Sequence, residues 1–227
     1  MKPVRIECCM RCSALVLLLL CGCFPAAIRP IPVLAIGTGE EPLVFLPGRY
    51  SRASDFVTEG FQGSAEEHGF PVVFVDAHMS YYRKRVVVDA LQEVIEKENI
   101  VPCKMGGISL GGFGATMYAR RFPQQVRGLV LFSPFLGDKA FLQRVQTGDV
   151  VNDSDSELGH ELFACWSFLK ETHVPVKIYC GTDDDFAPLI RLLAKQAPRI
   201  QVHWMEGGHD WSTWQKMWRD YLSQDVR

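Results

Sequence analysis

The sequence predicts an α/β protein, with a mostly parallel central sheet of about six or more strands flanked by helices. Two observations carry this. From Pro42 onward, apolar runs of strand length alternate with segments of helical spacing, the pattern of parallel strands joined by crossover helices. Those runs are also nearly all uniformly apolar rather than alternating, as strands covered on both faces are.

The strand candidates, in order, are Leu43 to Leu46, Val72 to Val75, Met105 to Ile108, Leu129 to Phe132, Val176 to Cys180 and Val202 to Met205. Between them lie helical patterns such as Val87, Val88, Leu91, Val94 and Ile95, or Leu189, Ile190, Leu192 and Leu193. A last helix from about Ser212 to Leu222 is expected to pack Trp214, Met217 and Trp218 on the sheet. One stretch breaks the rhythm. Residues 136–173 separate two strands by more than one crossover helix requires, with a polar, turn-rich middle at 147–156 and a helical pattern from Glu161 to Leu169. A small insertion or lid, placed before the fifth of these strands, is expected there.

A chain of 227 residues with 48% hydrophobic and 22% charged content is large enough for one substantial core. A net charge of -2 gives no electrostatic reason to propose nucleic acid as a partner. The run Arg83-Lys84-Arg85 reads as the solvated start of a helix.

The N-terminus has a different character. Lys2, Arg5 and Arg11 precede the apolar run from Ala14 to Leu20, which falls short of the roughly 20 residues needed to span a bilayer and is soon followed by Pro25. Residues 1–27 therefore read as a signal peptide, leaving 28–227 as a single domain. Cys8, Cys9, Cys12, Cys21 and Cys23 crowd this segment, and only Cys103, Cys165 and Cys180 follow, so no disulfide framework is expected. Leu20-Cys21-Gly22-Cys23 resembles the bacterial lipoprotein box, which implies lipidation of Cys23 and a membrane-anchored protein of the cell envelope. The alternative is cleavage near Ala26 or Ala27 and a periplasmic or secreted protein.

Five glycines surround one serine in Lys104-Met105-Gly106-Gly107-Ile108-Ser109-Leu110-Gly111-Gly112-Phe113-Gly114. Here a short strand meets a helix running from Leu110 to Arg121, and Ser109 lies at the join. Gly107-Ile108-Ser109-Leu110-Gly111 is the G-x-S-x-G pattern of a nucleophile elbow, in which a strained turn exposes the serine. A hydroxyl needs an imidazole to take its proton, and the imidazole needs a carboxylate to fix its tautomer. Both partners have places to come from. The strand at Val176 runs into Gly181-Thr182-Asp183-Asp184-Asp185-Phe186-Ala187-Pro188, and the last strand runs into Glu206-Gly207-Gly208-His209-Asp210-Trp211.

These motifs, in this order, resemble the α/β-hydrolases over nearly all of the chain from Pro42. The superfamily's acid commonly sits in G-x-x-D-x-x-[VA]-P, which Gly181, Asp184, Ala187 and Pro188 match, so the resemblance implies Asp184 ahead of Asp183 and Asp185. Gly-Gly-His-Asp-Trp resembles the serine esterases of the esterase D and feruloyl esterase kind, and implies His209 as the base. The implied oxyanion donors are the backbone N–H of Leu110 and that of Arg49 or Tyr50. The family usually has His-Gly where this chain has Pro47-Gly48.

The implied activity is hydrolysis of small-molecule carboxylic esters by an exported serine hydrolase, without metal or organic cofactor. An acyltransferase, a thioesterase or a serine peptidase would use the same three residues, and a non-catalytic envelope binding protein is the reading from outside enzymology. His78 is a candidate for the rim of the site, and Phe135, Trp166 and Trp211 for its walls.

Overall fold

A computed structural model describes residues 25–37, 39–148 and 156–225. Cys23 and the expected signal segment up to residue 24 lie outside these, as does 149–155 within the expected lid.

Seven strands form one sheet in the spatial order β1-β3-β2-β4-β5-β6-β7. They are β1 (Val33–Ile36), β2 (Leu43–Leu46), β3 (Val72–Val75), β4 (Cys103–Ile108), β5 (Val126–Phe132), β6 (Val176–Gly181) and β7 (Gln201–Met205). All neighbours pair in parallel except β1, which runs antiparallel to β3 and brings Val33 opposite Val75. The six expected strands all form. β1 is an addition to them, and β7, being an edge strand, is only half-buried where β2 and β3 are buried throughout.

The helices are α1 (Ala53–Thr58), α2 (Phe61–Glu67), α3 (Met79–Arg83), α4 (Val87–Lys97), α5 (Leu110–Arg121), α6 (Lys139–Thr147), α7 (Glu157–Glu171), α8 (Ala187–Gln196) and α9 (Trp211–Asp225). They divide over the two faces of the sheet. On one face, apolar residues of α4, α5, α7 and α8 join Val44, Leu46, Met105 and Leu131 in a single cluster. On the other, α1, α2 and α9 close over Phe45, Phe74 and Phe132 with Phe56, Phe61 and Trp218. Trp218 is fixed as well as buried, since its indole N–H donates to the Phe61 carbonyl oxygen at 3.0 Å.

α7 begins at Glu157, four residues before the expected pattern, because Ser156 caps it by accepting from the Gly159 N–H at 3.0 Å. It packs on α5 and α8 as the crossover helix between β5 and β6, and α6 lies against it through Phe141 and Trp166, 6.0 Å apart. Trp166 is therefore core rather than a wall of the site. Arg83, Lys84 and Arg85 are exposed, as expected, although they end α3 and precede α4. No helix among the described residues is long and apolar enough to cross a membrane.

Candidate active site

β4 ends at Ile108, and Ser109 turns the chain into α5 with φ 53° and ψ -113°. A non-glycine residue at positive φ is strained, and the strain is tolerated here because both flanks are locked. The Ser109 N–H donates to the Phe132 carbonyl oxygen at 2.9 Å, while its own carbonyl oxygen accepts from the N–H of Phe113 at 3.2 Å and of Phe135 at 2.9 Å. The glycines leave room for this turn. A Cβ at Gly107 would lie 2.7 Å from the Leu46 carbonyl oxygen, and one at Gly111 only 2.3 Å from the same atom.

Two further strand ends complete the arrangement. Past β6, Asp184 is buried, and its Oδ1 accepts from the Phe186 N–H at 2.8 Å. Past β7, His209 reaches back so that Nδ1 lies 2.8 Å from Asp184 Oδ2 and Nε2 lies 3.0 Å from Ser109 Oγ. The structure thus brings Ser109, His209 and Asp184 into one hydrogen-bonded line. Asp183 and Asp185 stay exposed, outside it.

Electrostatics assign the protons. Burial works against the charge of Asp184, but hydrogen bonds from His209 and the Phe186 N–H outweigh it and hold the carboxyl below its ordinary range. An ionised Asp184 can only accept, so His209 carries its proton on Nδ1 and presents the Nε2 lone pair to the Ser109 hydroxyl. That is the geometry of a general base poised on a nucleophile.

The loop after β2 closes the other side. Gly48 lies against Ser109, where an added Cβ would stand 3.8 Å from the serine Cβ, and a turn joins the Ser51 N–H to the Gly48 carbonyl oxygen at 3.2 Å. Arg52 anchors this loop. Its Nε donates to the buried Asp76 at 2.8 and 3.0 Å, Nη2 adds a third contact, and the Ala53 N–H donates to the same carboxylate at 3.0 Å. Within the described residues no backbone carbonyl accepts from the N–H of Leu110, Arg49 or Tyr50. All three remain available to a ligand oxygen, with Leu110 at the positive end of α5.

Several neighbours escape sequence reasoning. Phe186 and Trp214 meet the His209 ring edge-on at 4.9 and 5.0 Å. Ser133, fully buried at φ 43°, follows β5 beside Asp184. Phe186 lies inside the acid motif and Trp214 one turn beyond His209, so proximity to those motifs was the available signal. Phe135 is half-buried with its N–H on the Ser109 carbonyl oxygen, and its ring meets Phe113 and Phe186, as a wall residue would. Trp211 instead packs on Phe56, Phe61 and Trp214. His78 is not at the rim: it is buried and caps α3 by accepting from the Ser80 N–H.

The seven-stranded sheet and its helices have the α/β-hydrolase fold. A sequence model of the Hydrolase_4 family, described as serine aminopeptidase, S33, matches residues 80–152. No curated protein sequence matches the chain. Solved structures do. A carboxylesterase structure from the thaumarchaeon Nitrososphaera gargenis is 17% identical, with a TM-score of 0.67 over 89% of this chain and 97% of that one. A structure titled putative non-heme bromoperoxidase BpoC, from Mycobacterium tuberculosis, is 17% identical with a TM-score of 0.66 over 89% and 98%. S-formylglutathione hydrolase from Staphylococcus aureus is 18% identical with a TM-score of 0.61 over 84% of each chain. At such identities the likeness is one of fold.

Proposed function

We propose that the protein is an exported serine hydrolase that cleaves carboxylic esters through an acyl-enzyme on Ser109. The observation that carries this reading is the line from Asp184 through His209 to Ser109, at the carboxyl ends of three neighbouring or near-neighbouring strands. Ser109 Oγ attacks the ester carbonyl as its proton passes to His209 Nε2. The oxyanion that forms is held by the N–H of Leu110 and that of Arg49 or Tyr50, each such donor being worth roughly 100- to 1000-fold in rate. The imidazolium, steadied by Asp184, then gives its proton to the departing alkoxide, and the alcohol leaves. Water repeats the sequence on the acyl-enzyme, releasing the acid and restoring the serine.

Labelling with a fluorophosphonate, read by intact mass, tests the reading. Wild type gains one adduct, on Ser109, and Ser109→Ala and His209→Ala gain none. A folded wild type that takes no label would overturn the activated serine and leave the envelope binding protein.

The matched family's description favours a second reading, a serine aminopeptidase using the same residues. Presenting p-nitrophenyl esters beside an aminoacyl p-nitroanilide separates the two, and faster turnover of the anilide would select the peptidase. For localisation, we propose that residues 1–27 direct export and that Cys23 is lipidated. Cys23→Ala then moves the protein from the membrane to the soluble fraction, and an unchanged distribution would refute lipidation.

A further inference from the structure

We infer that the acyl part of the substrate carries a negative charge, a carboxylate bound by the guanidinium of Arg49; this rests on the esterase reading and names its substrate class. Arg49 directly follows Gly48, which lies against Ser109, so its side chain starts at the lip of the site. Several arginines of the fold are paired with a carboxylate, among them Arg29 with Glu93, Arg52 with Asp76 and Arg120 with Glu161. Arg49 is exposed, has no carboxylate partner among the described residues, and is one residue along the chain from the glycine that lies against Ser109.

The side chain is nevertheless held. Its guanidinium carbon sits 5.1 Å from the centre of the Tyr50 ring, itself 76% exposed. Stacking on an aromatic face orients a guanidinium without cancelling its charge, and leaves N–H edges for bidentate binding of a carboxylate. The anchoring of Arg52 on Asp76 three residues later keeps the loop in place.

Sheet order decides which part of the ester bears the charge. β2, carrying Arg49, flanks β4 on one side, and β5, β6 and β7 lie on the other. The alcohol must leave beside His209 to collect its proton, and on that side Asp183, Asp185 and Asp210 present exposed carboxyl groups. An anion is repelled there and attracted at Arg49, so the charge belongs to the acyl group.

The test compares p-nitrophenyl hemiglutarate with p-nitrophenyl pentanoate, acyl chains of equal length with and without a terminal carboxylate. Within each enzyme, the ratio of kcat/KM for the anionic over the neutral ester cancels general damage to the machinery. That ratio falls roughly three- to fivefold in Arg49→Gln, as for an exposed charge pair, and further in Arg49→Glu. In wild type it also falls as sodium chloride is raised. A ratio unchanged within about twofold in both variants overturns the inference while leaving the esterase reading intact. Hydrolysis of neither ester by wild type refutes the esterase reading and the inference with it.

Discussion

A Cβ placed on Gly111 would come within 2.3 Å of the Leu46 carbonyl oxygen, so α5 rests directly on the backbone at the end of β2. This contact sets how close the nucleophile turn lies to the Pro47-Gly48 loop, and neither backbone can yield as a flexible side chain would. Gly111→Ala is therefore expected to lower stability by at least about 3 kcal/mol, the upper end for overpacking, or roughly 6–12 °C in melting temperature. Gly63→Ala is the control. Gly63 lies inside α2 with nothing within 4 Å of an added Cβ. There alanine should raise stability by about 0.5–1 kcal/mol through helix propensity. Thermal melts of both variants check the pair, and equal destabilisation would contradict the argument.

Replacing Asp184 by Asn keeps the shape of the side chain but lets its amide donate, which favours the wrong tautomer of His209. A loss of about 10,000-fold in kcat is expected, with fluorophosphonate labelling slowed in parallel. Stability should respond to pH as well. Because hydrogen bonding holds the folded Asp184 below its ordinary value, its ionisation stabilises the fold above the unfolded carboxyl value of about 3.9. That contribution is lost as pH falls through the depressed folded value. The gap in urea midpoint between wild type and Asp184→Asn should thus be full near neutrality and shrink in acid. A gap independent of pH would mean that the carboxylate charge is not what the fold uses.

The sheet was readable because strands covered on both faces must be apolar throughout, and Val72-Val73-Phe74-Val75 admits little else. β1 was not readable for the opposite reasons. It has four residues, follows Pro30 and Pro32, and runs antiparallel at the edge through pairing with β3, which no local pattern signals. At the site, Ser109, Asp184 and His209 stood out because each ends an apolar run in a motif of its own. Their convergence across 100 residues of chain follows from strand order. Ser133 resembles any serine in a turn until β5 and β6 pair, bringing its N–H to the Tyr179 carbonyl oxygen at 2.7 Å and its hydroxyl beside Asp184. The clasp of Arg52 on Asp76 joins residues 24 apart whose meeting depends on β2 and β3 lying side by side.

Cys103, Cys165 and Cys180 are free and buried, and burial pushes each thiol up to about 12. Thiolate is the reacting species, so at pH 8 iodoacetamide should modify these three at least about 100-fold more slowly in the folded protein than in denaturant. Peptide mapping after timed alkylation measures this. Rapid native modification of Cys180 would be the most damaging result, since that residue lies one position before the end of β6 and near Asp184.

His209 is tethered to Asp184 at one nitrogen only, and its side chain is 30% exposed, so the hydrogen bond alone leaves the ring free to swing about that contact. Phe186 and Trp214 meet it edge-on at interplanar angles of 85° and 88°, and restrict this motion. Trp214→Ala removes one of the two and is expected to reduce kcat about 10- to 100-fold with a smaller change in KM, as for a misaimed catalytic group. The same truncation empties part of the α9 face of the core, where loss of a buried tryptophan costs about 3–5 kcal/mol, so lost activity alone would not distinguish aim from folding. Trp214→Phe separates them. It keeps an aromatic edge on His209 and should retain kcat within about threefold. Fluorophosphonate titration of active sites in each variant counts the folded molecules, so that kcat per competent site reports the aim of His209 alone. An unaltered kcat per site in Trp214→Ala would reduce the tryptophan to packing.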